Sequence, residues 1–380
     1  MGVVLGSMGR REPTPESEIH ALHRRLALGI GALAGLVLLV RGPVDTSGAP
    51  STDGGAAARS DVSRAELDAA IARLTTWVEQ SSRAPSSAFE TNQRLLALGR
   101  AALDDSAAPI AASLERLAAA SAAEAALADD SSASATLAIL LEAGAPLERE
   151  LQLPSGPASL RHLLELALPA ARASSSAADP WALDVLSFAV LAGLPEQRET
   201  LARRAHNSLL ALDHEQRMLA SGRRQGADGT SAALDSLQLA ASVFRAIAVL
   251  ADAELEQRGL RQLNALVRRH ASDRENWRER RARAQGEGER LALDIEALEA
   301  LGLLEQSLFG AHLAFRRGER AEPAPRTANS MRRAAGDLLE HLAALERAGA
   351  LQPGRAPSSP GLLRAATQAL RGLRAARIAT

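Results

Sequence analysis

The chain has no cysteine, no lysine and no tyrosine. Without cysteine there is no disulfide, no thiolate nucleophile and no Cys-based zinc or iron–sulfur site. Every one of the 44 basic residues is arginine. Together with the abundance of alanine, this is the usage of GC-rich coding and carries no functional reading. Aromatic residues make up only 2%, so the core must be built from Leu, Ala and Val. Alanine lets helices approach closely, but each one buries little apolar area. A net charge of -1 gives no electrostatic footprint for a dedicated nucleic-acid binder. P-loop, dinucleotide glycine fingerprint, HExxH and GxSxG are all absent, so no nucleotide, metal or other cofactor is expected.

What is present begins with residues 26–40, LALGIGALAGLVLLV, an unbroken apolar run between Arg24-Arg25 and Arg41. As a helix it is about 22 Å long, short for a bilayer core of about 30 Å. Leu22 and snorkelling arginines extend it. The reading is an uncleaved signal anchor over 24–41. A cleaved signal peptide is the rival, but Ser47-Gly48-Ala49 is followed by Pro50, which disfavours cleavage there. A buried helix of a soluble protein is the third option. Arg10, Arg11, Arg24 and Arg25 precede the run, while Arg41 and Arg59 follow it. The positive-inside rule then puts the tail, 1–23, in the cytoplasm and the rest outside, in the periplasm if the envelope has two membranes. Membrane lipid is thus one partner. Ala27, Gly31 and Gly35 repeat at four-residue spacing, a small-xxx-small groove that suits packing of two anchor copies as a homodimer, although a run this rich in Gly and Ala also gives the pattern by composition alone.

Residues 42–62 are Gly-, Ala-, Ser- and Pro-rich and read as a flexible linker. From 63 to 380 the pattern is helix after helix, without a convincing strand. Ser63 with Glu66 is a capping box, and Leu67, Ile71, Leu74 and Val78 follow at helical spacing. Pro146, Pro154, Gly156 and Pro157 mark a longer loop. Asp179-Pro180 starts a helix that stops at Gly193, and Pro195 opens the next. Gly222, Gly226 and Gly229 read as a break. Residues 230–269 read as two helices divided near Arg258-Gly259. The longest clean amphipath is 291–316, followed by 327–348 and by 360–378 with Ser359 as cap. The expected fold is all-α, about a dozen helices on short loops. No fixed repeat period is found, and the paired rhythm suits a helical-pair toroid or a solenoid-like domain.

Trp77 with Leu95-Leu96-Ala97-Leu98-Gly99-Arg100, then Asp179-Pro180-Trp181-Ala182-Leu183, then Leu308-Phe309-Gly310-Ala311-His312-Leu313, resembles the helix-pair pattern of α/α-toroid proteins of the terpenoid-cyclase-like class. The resemblance spans most of 63–350 and implies a ring of inner and outer helices. The acidic DxDD motif and the aromatic repeats of those cyclases are missing, so their catalysis is not implied.

Within the helical region, candidate chemistry is sparse. Asp104-Asp105 and Asp129-Asp130 are paired carboxylates at helix ends, where aspartate caps the next helix. His206 and Asp213 are seven residues apart and share a helix face. They are the best candidates for half of an acid–base or metal site, with His214 turned elsewhere. His312 and His341 stand singly, and Trp77, Trp181 and Trp277 read as core or interface anchors. The arginine-rich stretch 268–290 is interleaved with Asp273, Glu275, Glu279, Glu287 and Glu289, the pattern of a solvated helix face. These observations point to a membrane-anchored helical module with a structural or interaction role and an unknown protein partner. The alternative is a toroid hydrolase or lyase acting on an envelope polysaccharide or lipid.

Overall fold

A computed structural model describes residues 62–81, 87–102, 110–112, 114–115, 118, 131–174, 176–221, 226–317, 323–352 and 359–379. The run 26–40 with Ala27, Gly31 and Gly35, and both aspartate pairs, lie outside the described residues. The protein is all-α. The α-helices whose bounds lie within the described residues are α1 (Arg64–Ser81), α2 (Ala88–Leu98), α3 (Ser131–Glu142), α4 (Leu160–Ala173), α5 (Pro180–Leu191), α6 (Arg198–Ala220), α7 (Gly226–Leu250), α8 (Ala253–Arg283), α9 (Glu287–Arg317), α10 (Pro323–Arg347) and α11 (Pro360–Ala379).

The helix starts follow from local chemistry. Glu66 N donates to Ser63 Oγ at 3.2 Å and Ser63 N donates to Glu66 Oε2 at 2.8 Å, a reciprocal capping box at α1. Asp179 Oδ1 accepts from the backbone N–H of Trp181 and Ala182 at 3.0 and 3.1 Å, with Pro180 at the first helical position. Ser359 Oγ accepts from Leu362 N at 3.2 Å. Gly193, at φ 86, ends α5 in the left-handed conformation.

Four expectations are corrected. The proline-marked loop contains a strand pair, β1 (Glu150–Leu153) antiparallel to β2 (Gly156–Ser159). Leu151 and Leu153 are buried while Glu150 and Gln152 are exposed, a period-2 alternation too short to stand out in the sequence. Pro157 is tolerated because a two-stranded ribbon consists only of edges. Second, the break in 230–269 falls at Ala251-Asp252. Asp252 Oδ1 caps α8 by accepting from Glu254 and Leu255 N, both at 3.0 Å. Gly259 lies inside α8, where an added Cβ would meet Ile247 Cδ1 at 3.0 Å and Phe244 Cε1 at 3.2 Å. It is a close-approach glycine, not a helix breaker. Third, the expected amphipath is α9, which is not one-faced: residues 297–305 and 307–311 are all buried. The glycine-rich break is shorter than expected too, since α7 already begins at Gly226.

Helix α9 is the axis of the packing, covered by α7, α10 and α11 and flanked by α8. Where α9 crosses α11 the two backbones touch. A Cβ on Gly302 would lie 2.6 Å from Ala369 N and closer still to the Gln368 carbonyl, and a Cβ on Gly372 would lie 2.9 Å from Gly302 Cα. Among the described residues one helical stretch, Thr230–Leu250, is long and apolar enough to cross a membrane, and 67% of its apolar window is buried inside the fold. It is the core helix α7. The first and last described helices meet. Arg377 pairs with Asp68, Arg374 reaches the Ala97 carbonyl and Thr75, and Arg73 donates to Glu346 at 2.8 Å.

Candidate functional site

His206 and Asp213 both face α8 from α6, as their spacing predicts, but each has its own partner there. Arg258 Nη1 lies 2.8 Å from His206 Nδ1, and Gln262 Nε2 donates to Asp213 Oδ1 at 3.2 Å. Asp213 is also paired with Arg217 at 2.7 Å, one turn further along α6. Seven residues of helix separate the histidine and the aspartate by about 10 Å along the axis. The two are therefore not brought into a dyad. His214 is exposed.

Two clusters whose partners the sequence did not bring together are more developed. The first is buried between α3, α5, α7 and α11. Arg245 Nη1 sits 3.0 Å from Asp184 Oδ1 and 3.3 Å from Glu142 Oε2. Arg371 pairs with Glu142 and donates to Gln368 Oε1 at 3.0 Å, and Ser242 Oγ donates to Asp184 Oδ2 at 3.1 Å. Burial alone would raise the Glu142 carboxyl, but Arg245 and Arg371 together hold it below its usual value. At Asp184 burial prevails over Arg245, and the neighbouring Glu142 charge adds to it, so this carboxyl is pushed up to about 6. Two carboxylates thus share one guanidinium and titrate apart.

The second cluster corrects the reading of 268–290 as a solvated face. One side of α8 is exposed there, as the charge alternation implies. The other side carries His270, Arg274, Trp277 and Arg281 at spacings of four, three and four, which is a helical stripe, and it turns inward. Arg274 Nε and His270 Nε2 approach the two oxygens of Asp337 at 2.9 and 3.1 Å. Arg281 Nε and His341 Nδ1 converge on Asp294 Oδ1 at 3.2 and 2.9 Å. Trp277, an anchor as expected, is buried between these groups and meets the His341 ring edge-on, 6.0 Å between centroids. Both aspartates are nearly inaccessible, at 3% and 6% residue exposure for Asp294 and Asp337, so this is an internal charge ladder joining α8 to α9 and α10. The stripe spacing was the available signal; the aspartates on the other two helices had none.

Among the described residues no group of three or more His, Asp or Glu side chains converges in a way that would hold a metal ion. An open cleft beside the α6 N-terminus, between Pro195, Arg198, Glu199 and Asp252, contains neither cluster and neither sequence candidate.

The fold and these clusters define an all-helical domain cross-tied by internal ion pairs. Compared with protein-family models, curated proteins and solved structures, the chain shows no match.

Proposed function

We propose that this chain is a membrane-anchored helical module with a structural or interaction role. Its anchor would be residues 24–41, its tail cytoplasmic and its helical domain extracytoplasmic. The observation that carries the non-catalytic half of this reading is the fate of the titratable side chains. Asp184, Glu142, Asp294 and Asp337 are each held by arginine or histidine from another helix. A buried carboxylate engaged in this way ties elements together and is not free to take a proton from a substrate, which requires hydrogen-bond reach of the reacting atom. The buried middle of α9, residues 297–305 and 307–311, favours the same reading, because these positions offer no surface to a substrate. The Arg-flanked run supports the anchored half by the positive-inside rule.

One observation favours the toroid enzyme: α1 packs against α11, as the ends of a closed ring would. The two readings separate on His206→Ala combined with Asp213→Ala in the full-length protein. For a module, stability drops by about 1–3 kcal/mol, typical of such changes, and binding partners captured by cross-linking are unchanged. Intact stability with loss of hydrolysis or elimination on an envelope polysaccharide or lipid would install the enzyme in its place. A C-terminal reporter active only in the cytoplasm would remove the topology.

A further inference from the structure

Glu305 is fully buried in α9, and among the described residues neither carboxyl oxygen has a hydrogen-bond partner within normal geometry. It sits where three helices crowd together. Its Cβ lies beside Gly372 of α11 and one turn from Gly302, the point at which the α9 and α11 backbones touch. Among the described residues the backbone of Ala335 on α10 acts on it, pulling the carboxyl down against the burial.

The buried charged groups on the surrounding helices are engaged elsewhere, and Arg332 and Arg333 of α10 are exposed. On α7, Arg245 holds Asp184 and Glu142, while Asp235 acts on Glu299. On α10, Asp337 is taken by Arg274 and His270 of α8. On α11, Arg364 pairs with Glu299 at 2.7 Å and Arg371 with Glu142. Within α9 itself, Asp294 is held by Arg281 and His341. An ionised carboxylate isolated in such surroundings is so costly that the group takes up a proton instead. Burial correspondingly pushes the Glu305 carboxyl well above its usual range.

We propose that Glu305 is carried as the neutral acid in the closed bundle and acts as a proton-dependent latch on the α9–α10–α11 crossing, which loosens when that proton is lost.

The sign is fixed by linkage. Above the ordinary glutamate range the unfolded chain has released this proton and the folded chain still holds it, so stability falls as pH rises. It continues to fall until the folded carboxyl ionises. One retained proton makes the unfolding constant rise up to tenfold per pH unit.

The test uses the full-length protein and the variants Glu305→Gln and Glu305→Met, two substitutions in case one does not fold. At pH 8, where Asp184 is ionised, the infrared spectrum of the wild type should show a protonated-carboxyl C=O band that both variants lack. Urea unfolding from pH 6 to 9 should show a steeper loss of stability in the wild type, by up to tenfold in the unfolding constant per pH unit. Absence of the band at pH 8, its persistence in the variants, or parallel pH profiles would each overturn the latch. None of these outcomes bears on whether the module is catalytic or anchored.

Discussion

Replacing Gly302 by alanine sets two effects against each other. In an exposed helix, glycine to alanine is worth about 1 kcal/mol in favour of the alanine. At Gly302 the added methyl would lie 2.6 Å from Ala369 N and nearer still to the Gln368 carbonyl, in the backbone of α11. Ordinary contact begins near 3.4 Å, so the two helices must separate by about 1 Å, and backbone cannot rotate away as a side chain can. A gap of that size forfeits a quarter to a half of each contact's dispersion energy, along a seam where Leu298, Leu301, Thr367 and Leu370 are all fully buried. Overpacking of this kind costs about 1–3 kcal/mol and occasionally more. The absence of any movable neighbour puts Gly302 at or above the top of that range. The expected net loss for Gly302→Ala is about 2 kcal/mol or more. The Gly310→Ala change, whose methyl would meet Phe244 Cβ at 3.0 Å, should lose less. Gly288→Ala, with nothing within 4 Å, should gain up to about 1 kcal/mol. Urea unfolding of the full-length protein, followed by far-ultraviolet circular dichroism, measures all three. A Gly302→Ala midpoint equal to or above that of the wild type, or a reversed order of the series, would refute the backbone-contact argument.

Two further outcomes follow from the same structure. Ala251 is held at φ 49 between α7 and α8, a left-handed conformation that costs a non-glycine residue about 1 kcal/mol. Ala251→Gly should therefore raise stability by about 0.5–1 kcal/mol, whereas no change in the unfolding midpoint would mean the turn is unstrained. Asp184 has its carboxyl raised to about 6, so the folded state binds its proton more tightly than the unfolded chain. Its contribution is fully present below pH 4 and is lost as pH rises through 6. Stability of the wild type minus that of Asp184→Asn should shrink over this interval by on the order of 2–3 kcal/mol. A difference that does not vary between pH 4 and 7 would show that the Arg245 pairing overrides the burial.

The local signals in the sequence were reliable where one short segment contains the whole interaction. Ser63 with Glu66, Asp179 with Pro180, Gly193 and Ser359 all set helix ends where their chemistry said they would. Gly259 misled because glycine has two roles. A sequence shows a flexible backbone position, while the structure uses the missing side chain for close approach to Phe244 and Ile247. The charge clusters were illegible for a different reason. Arg371 and Glu142 are 229 residues apart, and Asp184 and Ser242 are 58 apart. No periodicity in one helix names its partner in another. Only the 270–274–277–281 stripe carried a local trace, because three- and four-residue spacing gives a single face. His206 and Asp213 were rightly placed on one face, but the face alone does not reveal Arg258 and Gln262 across from it.

The meeting of α1 with α11 has a consequence for how the protein is made. Arg377 and Asp68 are 309 residues apart, so α1 has no partner at that end until α11 has been made. At synthesis rates of about 5–20 residues per second, the part of α1 that meets α11 waits roughly 15–60 s for its partner. Contacts of such long range also make closure slow after synthesis. Truncation from the C-terminus should therefore not shorten the protein gracefully. Loss of α11, most of whose side chains are buried, would leave the first helix permanently in that waiting state and expose it to proteases and to other nascent chains.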